Sequence, residues 1–169
     1  MLRAVTLLGA VLAATGPMQI RSGDVPAGGA IPQALMATDC GGENRSPALA
    51  WTGAPANARS FALIVHDADA PIAGGFYHWV VYDLPPGTTR LGENAKLASS
   101  ELGENSLGKQ GYYGPCPPSG AVHHYTFTLY ALDVARVGGG PAMSGPKLEA
   151  RIAGHILARA ELAATASHH

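Results

Sequence analysis

Three stretches of this chain alternate as half-buried strands do, and each carries polar residues at one end. Ser60 to Asp67 places Phe61, Leu63, Val65 and Asp67 on one face. His78 to Leu84 is closed by Pro85-Pro86-Gly87, where two prolines lack the N–H that a ladder needs. In His123 to Leu132, His123, Tyr125, Phe127 and Leu129 face one way, and His124, Thr126, Thr128 and Tyr130 the other. A carboxylate ends the first strand and a histidine begins each of the others. That pattern predicts a polar pocket at strand ends.

The remainder fits a mainly β (β-rich α+β) fold. Met18 to Arg21 and Ala48 to Trp51 read as short strands, and Ser22 to Pro32 as loop. The 22 glycines and 13 prolines are spread along the chain, which suits many turns between short strands better than a helical bundle. Leu91 to Gly114 is polar, Gly-rich and without a period; so long a loop points to function. From Pro146 to Ala163 the period changes. Leu148, Ile152, Ile156 and, at the next turn, Arg159 and Ala160 form one stripe, with Ser144 as N-cap and Pro146 in the first turn. One C-terminal amphipathic helix packed on the sheet is expected.

A chain of 169 residues suits one domain, here 18–165, after a segment 1–17 of different character. In that segment Arg3 precedes an apolar run, Ala4 to Ala14, too short to span a bilayer. It reads as a secretory signal, the alternative being a first strand or short helix of the mature fold. Export would place the protein in the periplasm or outside the cell; otherwise it is cytoplasmic. Stable membrane insertion is not expected. Charged residues are 14% and the net charge is −1, with no basic stripe to neutralise a phosphate backbone, so nucleic acid is excluded as a partner. Cys40 and Cys116 lie in Gly-rich turns beside the polar motifs. In an oxidising compartment they would form a disulfide; in the cytoplasm they would be two thiols.

Asp67 and Asp69 could ligate a hard cation, hold a turn through backbone N–H groups, or fix the tautomer of a histidine. His78, His123 and Tyr125 supply imidazoles and a hydroxyl at strand starts, while Gly111, Gly114 and Gly120 permit close backbone approach. Tyr112-Tyr113 could wall the pocket. There is no His-x-x-x-His or Cys-x-x-Cys for zinc and no Gly-x-Ser-x-Gly elbow for a serine hydrolase. No metal or cofactor is expected. A hydrolase using the His/Asp pocket for acid–base chemistry remains the alternative to a binding module. A third reading is an inhibitor of another protein acting through the 91–114 loop.

Five blocks occur in order: Asn44-Arg45-Ser46-Pro47-Ala48-Leu49-Ala50-Trp51, Asp67-Ala68-Asp69-Ala70-Pro71, His78-Trp79-Val80-Val81, Gly111-Tyr112-Tyr113-Gly114-Pro115-Cys116-Pro117-Pro118 and His123-His124-Tyr125. Together they resemble the phosphatidylethanolamine-binding protein family, in its bacterial Raf-kinase-inhibitor-like branch. The resemblance runs from Met18 to Ala163. It implies a large central antiparallel sheet flanked by a smaller one, with helical packing at the C-terminus. It also implies a pocket for a small anion, phosphate or phosphorylethanolamine, formed by Asp67, Asp69, His78, His123 and Tyr125. Pro117 and Pro118 would form its wall, and backbone N–H groups near Gly114 would complete the cradle. A cis peptide at Ala70–Pro71, a protein partner and a homodimer are further implications. Ala68 and His124 stand where the family often has proline and arginine.

Overall fold

The computed structural model describes residues 16–140 and 142–168. The signal-like run, Ala4 to Ala14, therefore lies outside the described residues. In chain order the elements are β1 (Gln19–Ser22), β2 (Leu49–Thr52), β3 (Ser60–Asp67), β4 (Phe76–Leu84), β5 (Arg90–Leu91), β6 (Val122–Leu132), α1 (Gly145–Ile152) and β7 (Ile156–Ser167). They form two antiparallel sheets, a smaller one of order β1-β2-β5 and a larger one of order β4-β3-β6-β7.

The larger sheet is buried on both faces, which is why its strands are so rich in apolar residues. Phe61, Leu63 and Val65 of β3 meet Trp79, Phe127, Leu129 and Leu162, and across the gap Leu49 and Trp51 of the smaller sheet. Ala62, Ile64, Val80, Tyr82 and Leu132 face the other way, under Met143 and under Leu148 and Ile152 of α1. Alternation along each strand thus feeds two cores.

The expected C-terminal helix is much shorter than its periodic stripe. α1 stops at Ile152, and Ile156–Ser167 is a strand paired with β6 along its length. The sequence supports both periods here. Ala160, Leu162, Ala164 and Ala166 alternate buried, with Arg159, Glu161 and Ala163 exposed between them. Ile156, the third member of the helical stripe, is exposed. Gly154 in the intervening turn separates the two elements.

The 91–114 segment is also more structured than expected. It contains β5's end, a 3-10 turn at Ser99–Glu101 and bridges such as Val81↔Leu102. It runs beside β4, where Gly103 donates to the Val80 carbonyl, Ser106 to Tyr77 and Tyr113 to His78. At the opposite edge, Gly28 and Ile31 donate to the carbonyls of Ala163 and Thr165 in β7.

Gly145 begins α1 against the ring of Tyr77, and a Cβ there would collide with the ring carbons. Tyr77 cannot easily yield, because its hydroxyl donates to Glu149 Oε2 at 2.9 Å. Gly145→Ala is therefore expected to cost about 1–3 kcal/mol from overpacking, exceeding the gain of up to ~1 kcal/mol in helix propensity. Urea unfolding checks this; a variant at least as stable as the parent would contradict it.

Candidate functional site

The site lies at one end of the larger sheet, where β3 finishes and β4 and β6 begin. Asp67 closes β3 and pairs with Tyr125 on one side and Phe76 on the other. His123 follows the same face of β6, as the alternation requires. His78 does not follow alternation. The register steps from Val65↔Trp79 directly to His66↔Tyr77, so His78 is one extra residue in β4. This β-bulge lets His78 and Trp79 both serve the inner side. Tyr113 fastens the bulge twice: its N–H donates to the His78 carbonyl at 2.9 Å, and its carbonyl accepts His78 Nδ1–H at 2.7 Å.

A cavity of about 280 Å³ results, lined by Asp67, His78, His123 and Tyr125, with Phe76 and Tyr113. Pro71, Ile72, Leu107 and Pro118 form its apolar mouth. Asp67 is 3% exposed and its carboxylate is fully engaged. Oδ1 accepts the N–H groups of Asp69 and Ala70, and Oδ2 accepts His123 Nδ1–H at 2.8 Å. The carboxylate thus holds the turn and fixes the imidazole at once. This turn closes with the 70–71 peptide trans, so the cis bond suggested by the family is absent. Instead Ile72 N–H donates to the Ala70 carbonyl at 2.7 Å, a tight turn around Pro71.

His78 packs against Phe76 at 4.5 Å between ring centroids and edge-on to Tyr125 at 5.2 Å. Burial pushes its pKa down to about 4, against smaller opposing effects of the Tyr113 carbonyl and the Asp67 charge. The ring is neutral at pH 7. A carbonyl can only accept, so the proton is on Nδ1 and Nε2 carries a lone pair. Tyr125 is pushed well above the usual phenol range, first by burial and then by the Asp67 carboxylate. Its hydroxyl therefore keeps its proton beside the Asp67 carboxylate. Both His78 Nε2 and Tyr125 Oη are buried without a hydrogen-bond partner.

The wall after Tyr113 is buttressed by residues 33–44. Cys40 and Cys116 form a disulfide with Cα atoms 5.5 Å apart. Asn44 Oδ1 accepts the Gly114 N–H at 2.7 Å, Ala37 N–H donates to the Pro115 carbonyl, and Tyr112 Oη donates to the Leu35 carbonyl. Gly114 is required for packing: a Cβ would enter the backbone of Leu35 to Ala37.

Several expected residues thus take different places. Asp69 does not line the cavity; its Oδ2 accepts both the backbone N–H and Nδ1–H of His124 outside it. These bonds hold the Asp69 carboxyl below the usual carboxylate range. Alternation explains this, because His124 faces away from His123 and takes Asp69 with it. The Gly114 N–H is occupied by Asn44 and is not free for a guest. Pro117 is buried behind the wall, while Pro118 lines the mouth. Between Gly114 and Pro118 only Cys116 retains a backbone N–H without a partner, since the other three residues are prolines. The spacing Pro-Cys-Pro-Pro carried that signal. Phe76, Ile72 and Leu107 gave no signal beyond being apolar near turns. Among the described residues, no group of three or more His, Cys, Asp or Glu side chains is placed to hold a metal.

Comparison with known proteins agrees with this architecture. A family model described as "Phosphatidylethanolamine-binding protein" matches residues 21–167. A UPF0098 protein of Methanothermobacter thermautotrophicus is 47% identical over 128 residues, covering 73% of this chain and 83% of the relative. The UPF0098 protein YbhB of Escherichia coli is 36% identical over 155 residues, covering 87% of this chain and 98% of the relative. The crystal structure of E. coli YbcL, described as a new member of the mammalian PEBP family, superposes with a TM-score of 0.85 at 30% identity, covering 91% of this chain and all of that one (100%). With its two sheets, its site at one sheet end and this extent of similarity, the chain belongs to the phosphatidylethanolamine-binding protein family.

Proposed function

We propose that the cavity binds a small anion of the phosphate type, such as phosphorylethanolamine, and that the protein is a binding module. The observation that carries this reading is the pair of buried, unpartnered polar atoms, His78 Nε2 and Tyr125 Oη, in residues lining one cavity. Buried polar groups are nearly always hydrogen-bonded, so two unpartnered ones in the walls of one cavity mark a place where a partner is missing. Tyr125 O–H and Cys116 N–H are the donors for its oxygens, and the His123 imidazole is held in place by Asp67. The apolar mouth limits water, which strengthens each polar contact inside. A cavity of about 280 Å³ suits a headgroup-sized guest, below the range of about 300–1,000 Å³ usual for drug-sized ligands. The disulfide supports an oxidising compartment outside the cytoplasm.

Titration with phosphorylethanolamine by calorimetry tests the reading. Saturable binding is expected, weakened at least about tenfold in His78→Ala, the loss of one buried hydrogen bond to a charged group. Equal affinity of parent and variant would remove His78 from the site. No binding by either would remove the anion.

A further inference from the structure

We propose that the outer face of the smaller sheet carries a second anion site, for a small molecule bearing two phosphate or carboxylate groups. It is separate from the cavity at the end of the larger sheet and does not depend on what that cavity binds. In β1, β2 and β5, Ile20, Leu49, Trp51 and Leu91 turn inward to the core. Alternation therefore sends Arg21, Ala50 and Arg90 outward. The register aligns these three across the sheet, Arg21 opposite Ala50 and Ala50 opposite Arg90. Just past the strand ends, Gly23, Ala48 and Gly92 line the same hollow and add at most a methyl group. The result is an open trough of about 530 Å³, floored by two alanines and flanked by an arginine on either side.

Among the described residues, neither Arg21 nor Arg90 has a carboxylate partner, whereas Arg45 lies 2.6 Å from Glu93 and Arg159 3.7 Å from Glu161. The acids nearest in sequence are engaged elsewhere. Asp24 accepts the Ala48 N–H at 2.7 Å, and Glu93 holds Arg45. Two like charges over one hollow repel each other, and an anion between them turns that repulsion into attraction. Neighbouring strands lie about 4.8 Å apart, so the two arginines spring from backbones roughly 10 Å apart. That span suits a guest with two acid groups, one for each arginine. A guanidinium is a planar fork that takes two oxygens of one group, which phosphate and carboxylate both offer. The small residues beneath leave room for the part of the guest that joins its acid groups.

Titration with pyrophosphate and, separately, with succinate, followed by amide resonances in heteronuclear NMR, tests the proposal. The resonances of Ala48, Ala50 and Gly92 are expected to move saturably with at least one of the two, and the one that binds more tightly identifies the preferred acid group. Arg21→Ala and Arg90→Ala should each weaken that binding at least about tenfold, the loss of one charge-assisted contact. Arg21→Lys keeps the charge without the fork and should fall between the parent and Arg21→Ala. At Gly92 an added Cβ meets no atom within 4 Å, so Gly92→Glu should fold normally. Its carboxylate enters the trough and should weaken binding by a similar factor. His78→Ala, altered in the other cavity, should show the same shifts as the parent; their loss in that variant would assign them to the cavity and overturn this site. Shifts confined to Asp67, His123 and Tyr125 would also overturn it while leaving the cavity as an anion pocket. Resonances of the trough that stay still with both probes, or affinities unchanged in Arg21→Ala and Arg90→Ala, would overturn it as well.

Discussion

Reduction of the Cys40–Cys116 bridge is expected to lower the unfolding free energy by about 4–5 kcal/mol, from the chain entropy released when a long loop opens. The bridge joins residues separated by 76 positions, so it removes many conformations from the unfolded chain. It also ties the 33–44 segment to the wall that carries Cys116, with the Asn44–Gly114 and Ala37–Pro115 bonds acting alongside. Loss of the bridge should therefore loosen the site as well as the fold. Guanidinium unfolding with and without a thiol-free reductant measures the first effect. Phosphorylethanolamine titration under the same conditions measures the second. The double variant Cys40→Ser with Cys116→Ser should match the reduced parent and ignore reductant. An unfolding midpoint indifferent to reduction would show that the bridge adds nothing to stability.

Acid should weaken the fold through His78. The folded pKa is pushed down to about 4, whereas the ordinary value is 6.5. Between those values the unfolded chain binds a proton that the folded chain does not. Stability is therefore greatest above pH 6.5 with respect to this group and falls as the pH is lowered toward 4. Across the whole window the loss is about 3 kcal/mol, and below it this histidine adds no further loss. Carboxylates titrate in the same range, so the informative quantity is a difference. Urea unfolding of the parent and His78→Gln at pH 7 and pH 4.5 should show the parent losing more by about 2–2.5 kcal/mol, since pH 4.5 stops short of the end of the window. Parallel losses would mean that the buried ring accepts its proton without difficulty.

Much of this site was legible because alternation is a strong rule. It placed Asp67 at the end of the apolar face of β3, and His123 and Tyr125 together on β6, with His124 turned away. His78 was legible only as a histidine at a strand start. Its direction depends on a bulge, and an inserted residue leaves no mark in a hydrophobic pattern. The C-terminus failed for a related reason. Leu148, Ile152 and Ile156 fit a helical period, and Ala160 to Ala166 fit a strand; only pairing with β6 decides between them. Gly114 was singled out for its freedom to approach a ligand, but it approaches the 35–37 backbone instead. A glycine announces close contact without naming what is contacted.

The edges of the larger sheet have a further consequence. β4 is covered by the 102–113 segment, and β7 is covered at its end by residues 28–31, while its earlier part displays Arg159 and Glu161. Exposed edges act as templates on which another chain can add a strand, whether a binding peptide or a misfolded copy. Here one edge is occupied by the protein's own loop and the other is partly occupied and flanked by charge. The sheet is thus guarded against growth into fibrils, because neither described edge offers an incoming strand a full, uncharged ladder to pair with.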